Sequence, residues 1–182
     1  RAHLDGARMF NAVVASGVDA ARMVRDFDTI SICLSKGLGA PVGSVLVGDA
    51  ATIAEAHRWR KMFGGGMRQA GVLAAAGLYA LENNIDRLAK DHARARRLAE
   101  AVDAMEAYSI DLGAVQSNMV YINCEKGRAK ALVDNLSQQG VDVLDLEQGV
   151  DYGDVSTVRA VVHLHVTDED IDRAIAAFDA AQ

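Results

Sequence analysis

Leu34-Ser35-Lys36-Gly37-Leu38-Gly39-Ala40-Pro41 is a glycine-rich junction between two short apolar runs. A short β-rich run, DTISICL at 28–34, leads into it, and residues 35–43 form a Gly-rich turn holding the chain's single proline. A second short apolar run at 44–47 follows and closes at Gly48-Asp49. So short a connection predicts an antiparallel pairing, because a parallel crossover needs a dozen or more residues. Lys36 sits where a strand gives way to glycines, which let backbone approach a flat ligand closely. A lysine that forms a Schiff base needs a lowered pKa, which burial supplies. On this motif alone, a solvated turn lysine is the simpler reading.

Upstream, residues 3–5 read as the end of a strand and Gly6 breaks it. Residues 7–14 continue as a helix with Met9, Val13 and Val14 on one side. Asp5 at a strand end could meet a pyridinium nitrogen and keep it protonated, making such a ring an electron sink. It could equally cap the following helix. Asp5 and Lys36 gain meaning together if they lie on neighbouring strand ends of one α/β sheet.

Downstream, residues 51–62 read as a helix ending in Arg58, Arg60 and Lys61, and Gly64-Gly65-Gly66 breaks it. Residues 67–83 are Ala-rich and apolar on nearly all sides, which predicts a buried helix. A long charged helix is expected at 87–105, with Asp86 at its start. The texture then changes. Strands are expected at 118–124, 141–146 and 157–166, and helices at 127–139, closed by Gly140, and at 168–181. This β-α-β-β-α order predicts a small α+β domain with helices on one side of a sheet. The boundary is expected near 106–112, giving domains 1–108 and 109–182.

Bulk properties narrow the function. The chain has 182 residues, is 51% apolar and carries a net charge of -6, so a nucleic-acid footprint is not expected. No apolar run is long enough for a membrane span. Cys33 and Cys124 lie far apart and predict reduced, buried thiols in a cytoplasmic protein. The five histidines show no metal-binding spacing, so no metal is expected. The first residue is not methionine and the sequence opens directly on a strand, which suggests a fragment of a longer protein.

Three motifs then fall in order: His3-Leu4-Asp5-Gly6-Ala7-Arg8, residues 34–43 (LSKGLGAPVG) and residues 60–71 (RKMFGGGMRQAG). Together they resemble the low-specificity L-threonine aldolases. The likeness is strong to about residue 105, weaker beyond, and returns at residues 158–164 (VRAVVHL). That family uses pyridoxal 5'-phosphate (PLP) on the aspartate aminotransferase-like fold (fold type I). The resemblance therefore implies an α/β chain made of part of the fold type I large domain, followed by a small α+β C-terminal domain. It makes this chain the C-terminal half, without the family's phosphate-binding turn and ring-stacking histidine, which lie upstream.

The resemblance further implies that Lys36 forms the Schiff base and Asp5 pairs with the pyridine nitrogen. Arg8 would lie by cofactor and substrate carboxylate, Ser35 and Arg68 by the cofactor, Lys61 by the substrate, and Arg159 would be the main carboxylate clamp. Planar guanidinium suits that grip. Alternation places Arg159 on one face with Val161, His163 and His165, opposite Val158, Ala160, Val162 and Leu164, so a solvent-facing strand arginine stays open. A solvated basic helix end is the plain alternative for Arg60, Lys61 and Arg68. His163 and His165 are read as packing or surface residues. The implied reaction cleaves threonine or allo-threonine to glycine and an aldehyde. A related β-eliminating lyase, a racemase or an inactive fragment remains possible on the residues alone. A homo-oligomer, dimer or tetramer, is implied, with no nucleic-acid or membrane partner.

Overall fold

The computed structural model describes residues 1–146 and 153–182, which form two compact units, Arg1–Ala89 and Lys90–Gln182. The first unit contains β1 (His3–Gly6), α1 (Met9–Ser16), α2 (Ala20–Val24), β2 (Thr29–Cys33), β3 (Ser44–Gly48), α3 (Ala50–Met62) and α4 (Gly71–Asn83). Its sheet has the order β1-β2-β3. β1 runs parallel to β2, with Asp5 opposite Ser31. β3 is antiparallel to β2, as the short connection predicts. Local chemistry sets the helix ends. Asp49 caps α3 by accepting from the Thr52 amide at 2.8 Å, while Gly17 closes α1 with φ 67°.

Burial in this unit is concentrated around the turn after β2. Leu34, Leu38 and Ala40 pack with Ala80 and Leu88, and Phe10 and Val14 of α1 press against the same cluster. α4 departs from expectation. It starts at Gly71 rather than at Met67, and Gln69 just before it takes φ 49°. Only Gly77 and Ala80 of α4 are buried, whereas Val72 is 77% exposed. All-round apolarity reports what surroundings would suit a helix, and in this unit one narrow stripe of it finds a partner.

The second unit takes most of α5 (Leu88–Asp103), then β4 (Met119–Glu125), α6 (Ala129–Gln138), β5 (Leu144–Asp145), β6 (Val155–Val161) and α7 (Asp168–Ala180). Its sheet has the order β4-β6-β5, antiparallel throughout. Ala95, Leu98, Ala99 and Val102 of α5 are buried against Val120, Ile122, Val158 and Phe178 of one core. This is why the chain divides at 89/90 and not at 108/109: the apolar face of α5 finds its core on the second sheet. Arg94 ties α5 to the start of α7, donating from Nε to Asp168 at 2.8 Å and from Nη1 to the Val166 carbonyl at 2.7 Å. Thr167 and Asp170 form a reciprocal capping box on α7.

Two expected strands are shorter than the pattern suggests. β5 keeps only Leu144 and Asp145 of the expected 141–146. β6 ends at Val161, so His163 and His165 lie beyond it, in the turn before α7, and do not alternate on a strand. Their rings meet edge to face at 5.8 Å, and the His165 amide donates to His163 Nδ1 at 3.3 Å. Val158, Ala160 and Val162 do point into the core. Of the two cysteines, Cys124 is buried and Cys33 only half-buried; both are free thiols.

Candidate active site

In open parallel α/β sheets, ligands gather at the carboxyl ends of the strands. β1 and β2 are parallel neighbours, so Gly6 and Cys33 end at the same edge. Asp5 is the penultimate residue of β1, and Lys36 follows the end of β2 by three positions. Both side chains are exposed, against the burial expected for Lys36. Asp5 does not cap α1, whose first flanking position is Arg8 with no side-chain cap. Its Oδ1 accepts from the Ala7 amide at 3.1 Å, in a local turn. Among the described residues its second oxygen has no hydrogen-bond partner, and it is open to a ligand.

The Lys36 turn is held from several sides. The Gly39 amide donates to the Lys36 carbonyl and the Ala40 amide to that of Leu34, each at 2.9 Å. Gly39 takes φ 72°, which favours glycine there. Asn84, just past α4, donates its side-chain amide to the Leu38 carbonyl at 2.7 Å. Buried Asn11 of α1 lies against Gly37, where an added Cβ would come within 3.4 Å of its Oδ1. Neither Asn11 nor Asn84 stands out as a site residue from sequence alone. A polar residue among the apolar positions of α1 was the signal for the first.

A small cavity of about 10 Å³ is lined by Arg8, Cys33, Gly37 and Leu38, among others. It places Arg8 beside the lysine turn. Cys33 registers the same neighbourhood. Burial pushes its thiol pKa up, but hydrogen bonds with Ser35 and Ser44 and the Lys36 charge outweigh it, so the pKa is lowered. The Ser35 hydroxyl sits 3.5 Å from Cys33 Sγ.

The structure thus brings Asp5, Arg8, Ser35 and Lys36 to one edge of the first sheet. Lys61 and Arg68 are exposed, and neither shares a hydrogen bond or ion pair with those four residues among the described residues. Lys61 instead folds over Gly66, where an added Cβ would fall 2.3 Å from its Cδ. Arg159 belongs to the second unit, on β6, opposite Tyr121 of β4 and Leu144 of β5. Its Nε is buried without a hydrogen-bond partner among the described residues. An unsatisfied buried donor is costly, and this one suits an anionic partner.

Gly6 sets the spacing of β1, which carries Asp5, and β2, which leads into the Lys36 turn. A Cβ there would stand 2.6 Å from the Ser31 carbonyl oxygen, which is backbone and cannot turn aside. Gly6→Ala should therefore destabilise the protein by about 1–3 kcal/mol, the usual range for overpacking. Denaturant unfolding measures it, and an unchanged midpoint would refute the close approach.

The beta-eliminating lyase family profile matches residues 1–125. The chain belongs to the beta-eliminating lyase family. Within it, the chain is 41% identical to low-specificity L-threonine aldolase 1 of Arabidopsis thaliana, over 98% of this chain and 49% of that protein. It is 44% identical to the low specificity L-threonine aldolase of Escherichia coli K12, over 93% of this chain and 47% of that protein. The chain therefore spans about half the length of the curated relatives it matches. Among solved structures, a Leishmania major threonine aldolase superposes with a TM-score of 0.73 at 16% identity, covering 98% of this chain and 51% of that one. A Sphingomonas wittichii serine palmitoyltransferase gives 0.67 at 19% identity, over 89% of this chain and 41% of that one. This family member is a mixed α/β chain with the fold of PLP-dependent fold type I enzymes.

The residues present fit that cofactor in kind. Lys36 offers a primary amine to an aldehyde, and Asp5 offers an exposed carboxylate oxygen to a ring nitrogen. Both emerge from the same end of adjacent parallel strands.

Proposed function

We propose that this protein takes part in PLP-dependent cleavage of a Cα–Cβ bond, converting threonine, allo-threonine and related β-hydroxy-α-amino acids to glycine and an aldehyde. The observation that supports this best is the pairing of Asp5 and Lys36 at one sheet edge in a chain so similar to proteins named low-specificity L-threonine aldolase. When bound, the cofactor supplies an electron sink for the pair left when that bond breaks. Lys36 binds the cofactor through its amine and yields it to the substrate. Asp5 holds a proton at the ring nitrogen. Ser35, Arg8 and Arg68 contribute to cofactor binding, and Arg8, Lys61 and Arg159 to substrate binding.

Incubation with threonine tests this reading: glycine and acetaldehyde should appear in equal amounts. The family description favours a second reading, β-elimination, which would give 2-oxobutanoate and ammonia instead. A racemase would return the inverted enantiomer.

Arg159 carries its own prediction. If its guanidinium holds the substrate carboxylate, Arg159→Ala should weaken glycine binding about ten- to a hundredfold, as expected for a hydrogen bond to a charged group of roughly 1.5–3 kcal/mol. Cofactor attachment should survive. Arg159→Lys should rescue poorly, since an ammonium cannot form the planar fork. Titration with glycine, followed through the cofactor's absorption, reads both; unchanged affinity in Arg159→Ala would remove the clamp and leave Arg8 to fill it.

The same reading makes the protein a cytoplasmic homo-oligomer, dimer or tetramer. Free thiols at Cys33 and Cys124 support the compartment. Exposed apolar side chains support the assembly, among them Trp59 stacked on Phe63 at 5.8 Å and Leu78 and Tyr79 on α4. No helix among the described residues is long and apolar enough to cross a membrane.

A further inference from the structure

We propose that the second unit carries a binding pocket for a small apolar ammonium ion, where β5 fails to cover β6. β5 pairs with β6 only through Leu144 and Asp145, opposite Arg159 and Val158. Residues 141–143 leave the sheet, so among the described residues β6 beyond Arg159 has no strand on that side. A cavity of about 250 Å³ opens there, between residues 140–143 and α7. Leu98, Val162, Ile171 and Phe178 form its apolar walls. Ala160 of β6 and Ala174 of α7 also line it, and their methyl groups leave the space that longer side chains would fill. A cavity of about 150 Å³ can accept benzene, so this one has room for an aromatic ring with a short chain attached.

Charge at the rim selects the head group. Asp142, His163, Asp170 and Arg173 border the cavity, and the His163 ring packs edge to face on His165. Arg173 pairs with Asp170, and Asp170 also accepts from the Thr167 amide and hydroxyl in the α7 cap. Asp142 is different. It is exposed, its Oδ1 accepts from the Ser137 hydroxyl at 2.9 Å, and no cation pairs with it among the described residues. One carboxylate thus stands uncompensated at the mouth of an apolar cavity, which is the arrangement that recognises a primary ammonium on an apolar body. An α-amino acid is a poorer match, because its carboxylate would have to take Arg173 away from Asp170.

Phenethylamine is the probe. Calorimetric titration into the protein should show saturable one-site binding with Kd below roughly 1 mM, within reach of a ligand of this size. Amide NMR shifts should localise to residues 140–143 and α7. Asp142→Asn should weaken binding about tenfold, and 2-phenylethanol, which lacks the charge, should bind as weakly and ignore that substitution. Ala174→Leu should fill the cavity and abolish binding while the protein keeps its thermal unfolding transition. Asp142 is exposed, so Asp142→Asn decides the matter even if Ala174→Leu does not fold. No saturable binding at 10 mM probe would overturn the proposal, as would equal affinity in Asp142→Asn. Tighter binding of phenylalanine than of phenethylamine would overturn the choice of an ammonium ligand.

Discussion

Lys36→Ala should remove the visible absorption of lysine-bound cofactor and reduce threonine cleavage to background. No other amine is expected to take over: among the described residues the sheet edge that holds Asp5 has only one lysine in its turn, and that turn is fixed from three directions. The Gly39 and Ala40 amides tie it internally, Asn84 holds the Leu38 carbonyl, and Leu38 itself is buried. Position is therefore set by backbone and core, while the side chain stays exposed. Alanine keeps the backbone and removes only the amine, so the unfolding midpoint should stay near wild type. Retention of lysine-type absorption in this variant would show that another residue carries the cofactor.

Asp5→Ala is expected to retain part of the cofactor binding and lose most of the turnover. A ring nitrogen without a carboxylate partner loses its proton, and an unprotonated ring is a poor electron sink. A single well-placed electrostatic group in an enzyme site contributes on the order of 2.7–4 kcal/mol, about 10²–10³ in rate. Asp5 makes one local hydrogen bond, to the Ala7 amide, so its removal should cost little stability beside that loss of rate. Asp5→Asn keeps an acceptor for that bond but not the charge, and should be nearly as slow. A near-wild-type rate in either variant would end the pairing role.

The turn around Lys36 was legible because its signals are local. Glycines, one proline and two flanking β-rich runs lie within twenty residues, and the antiparallel pairing of β2 and β3 follows from the short link alone. The parallel pairing of β1 with β2 could be expected only conditionally, since it depends on how residues 7–28 cross between them. Burial was less legible. α4 is apolar all round, yet composition cannot say which side meets a core; in this unit Gly77 and Ala80 are buried and Leu81 packs beside them. The division at 89/90 depends on where the apolar stripe of α5 docks, a tertiary fact absent from its periodicity. β6 stops at Val161 because the chain turns into the capping box of α7, which ends the alternation extended to His163 and His165.

Of the proposed site, Asp5, Arg8, Ser35 and Lys36 gather at one edge of the first sheet. Lys61, Arg68 and Arg159 rest on the resemblance to known aldolases and on their own chemistry. For Arg159 that chemistry is a buried, unsatisfied guanidinium nitrogen. Asn11 and Asn84 show what pattern reading overlooks, for they act on backbone carbonyls and glycines of the lysine turn rather than on a ligand.

Reduction with borohydride in the presence of PLP, followed by peptide mapping, shows which lysine carries the cofactor. The chain has five lysines, Lys36, Lys61, Lys90, Lys126 and Lys130, so the label has few places to go. Pyridoxyl-lysine is expected at Lys36, in the peptide that contains Leu34, Ser35 and Gly37. A label on Lys61 or Lys90, with Lys36 unmodified, would contradict that assignment.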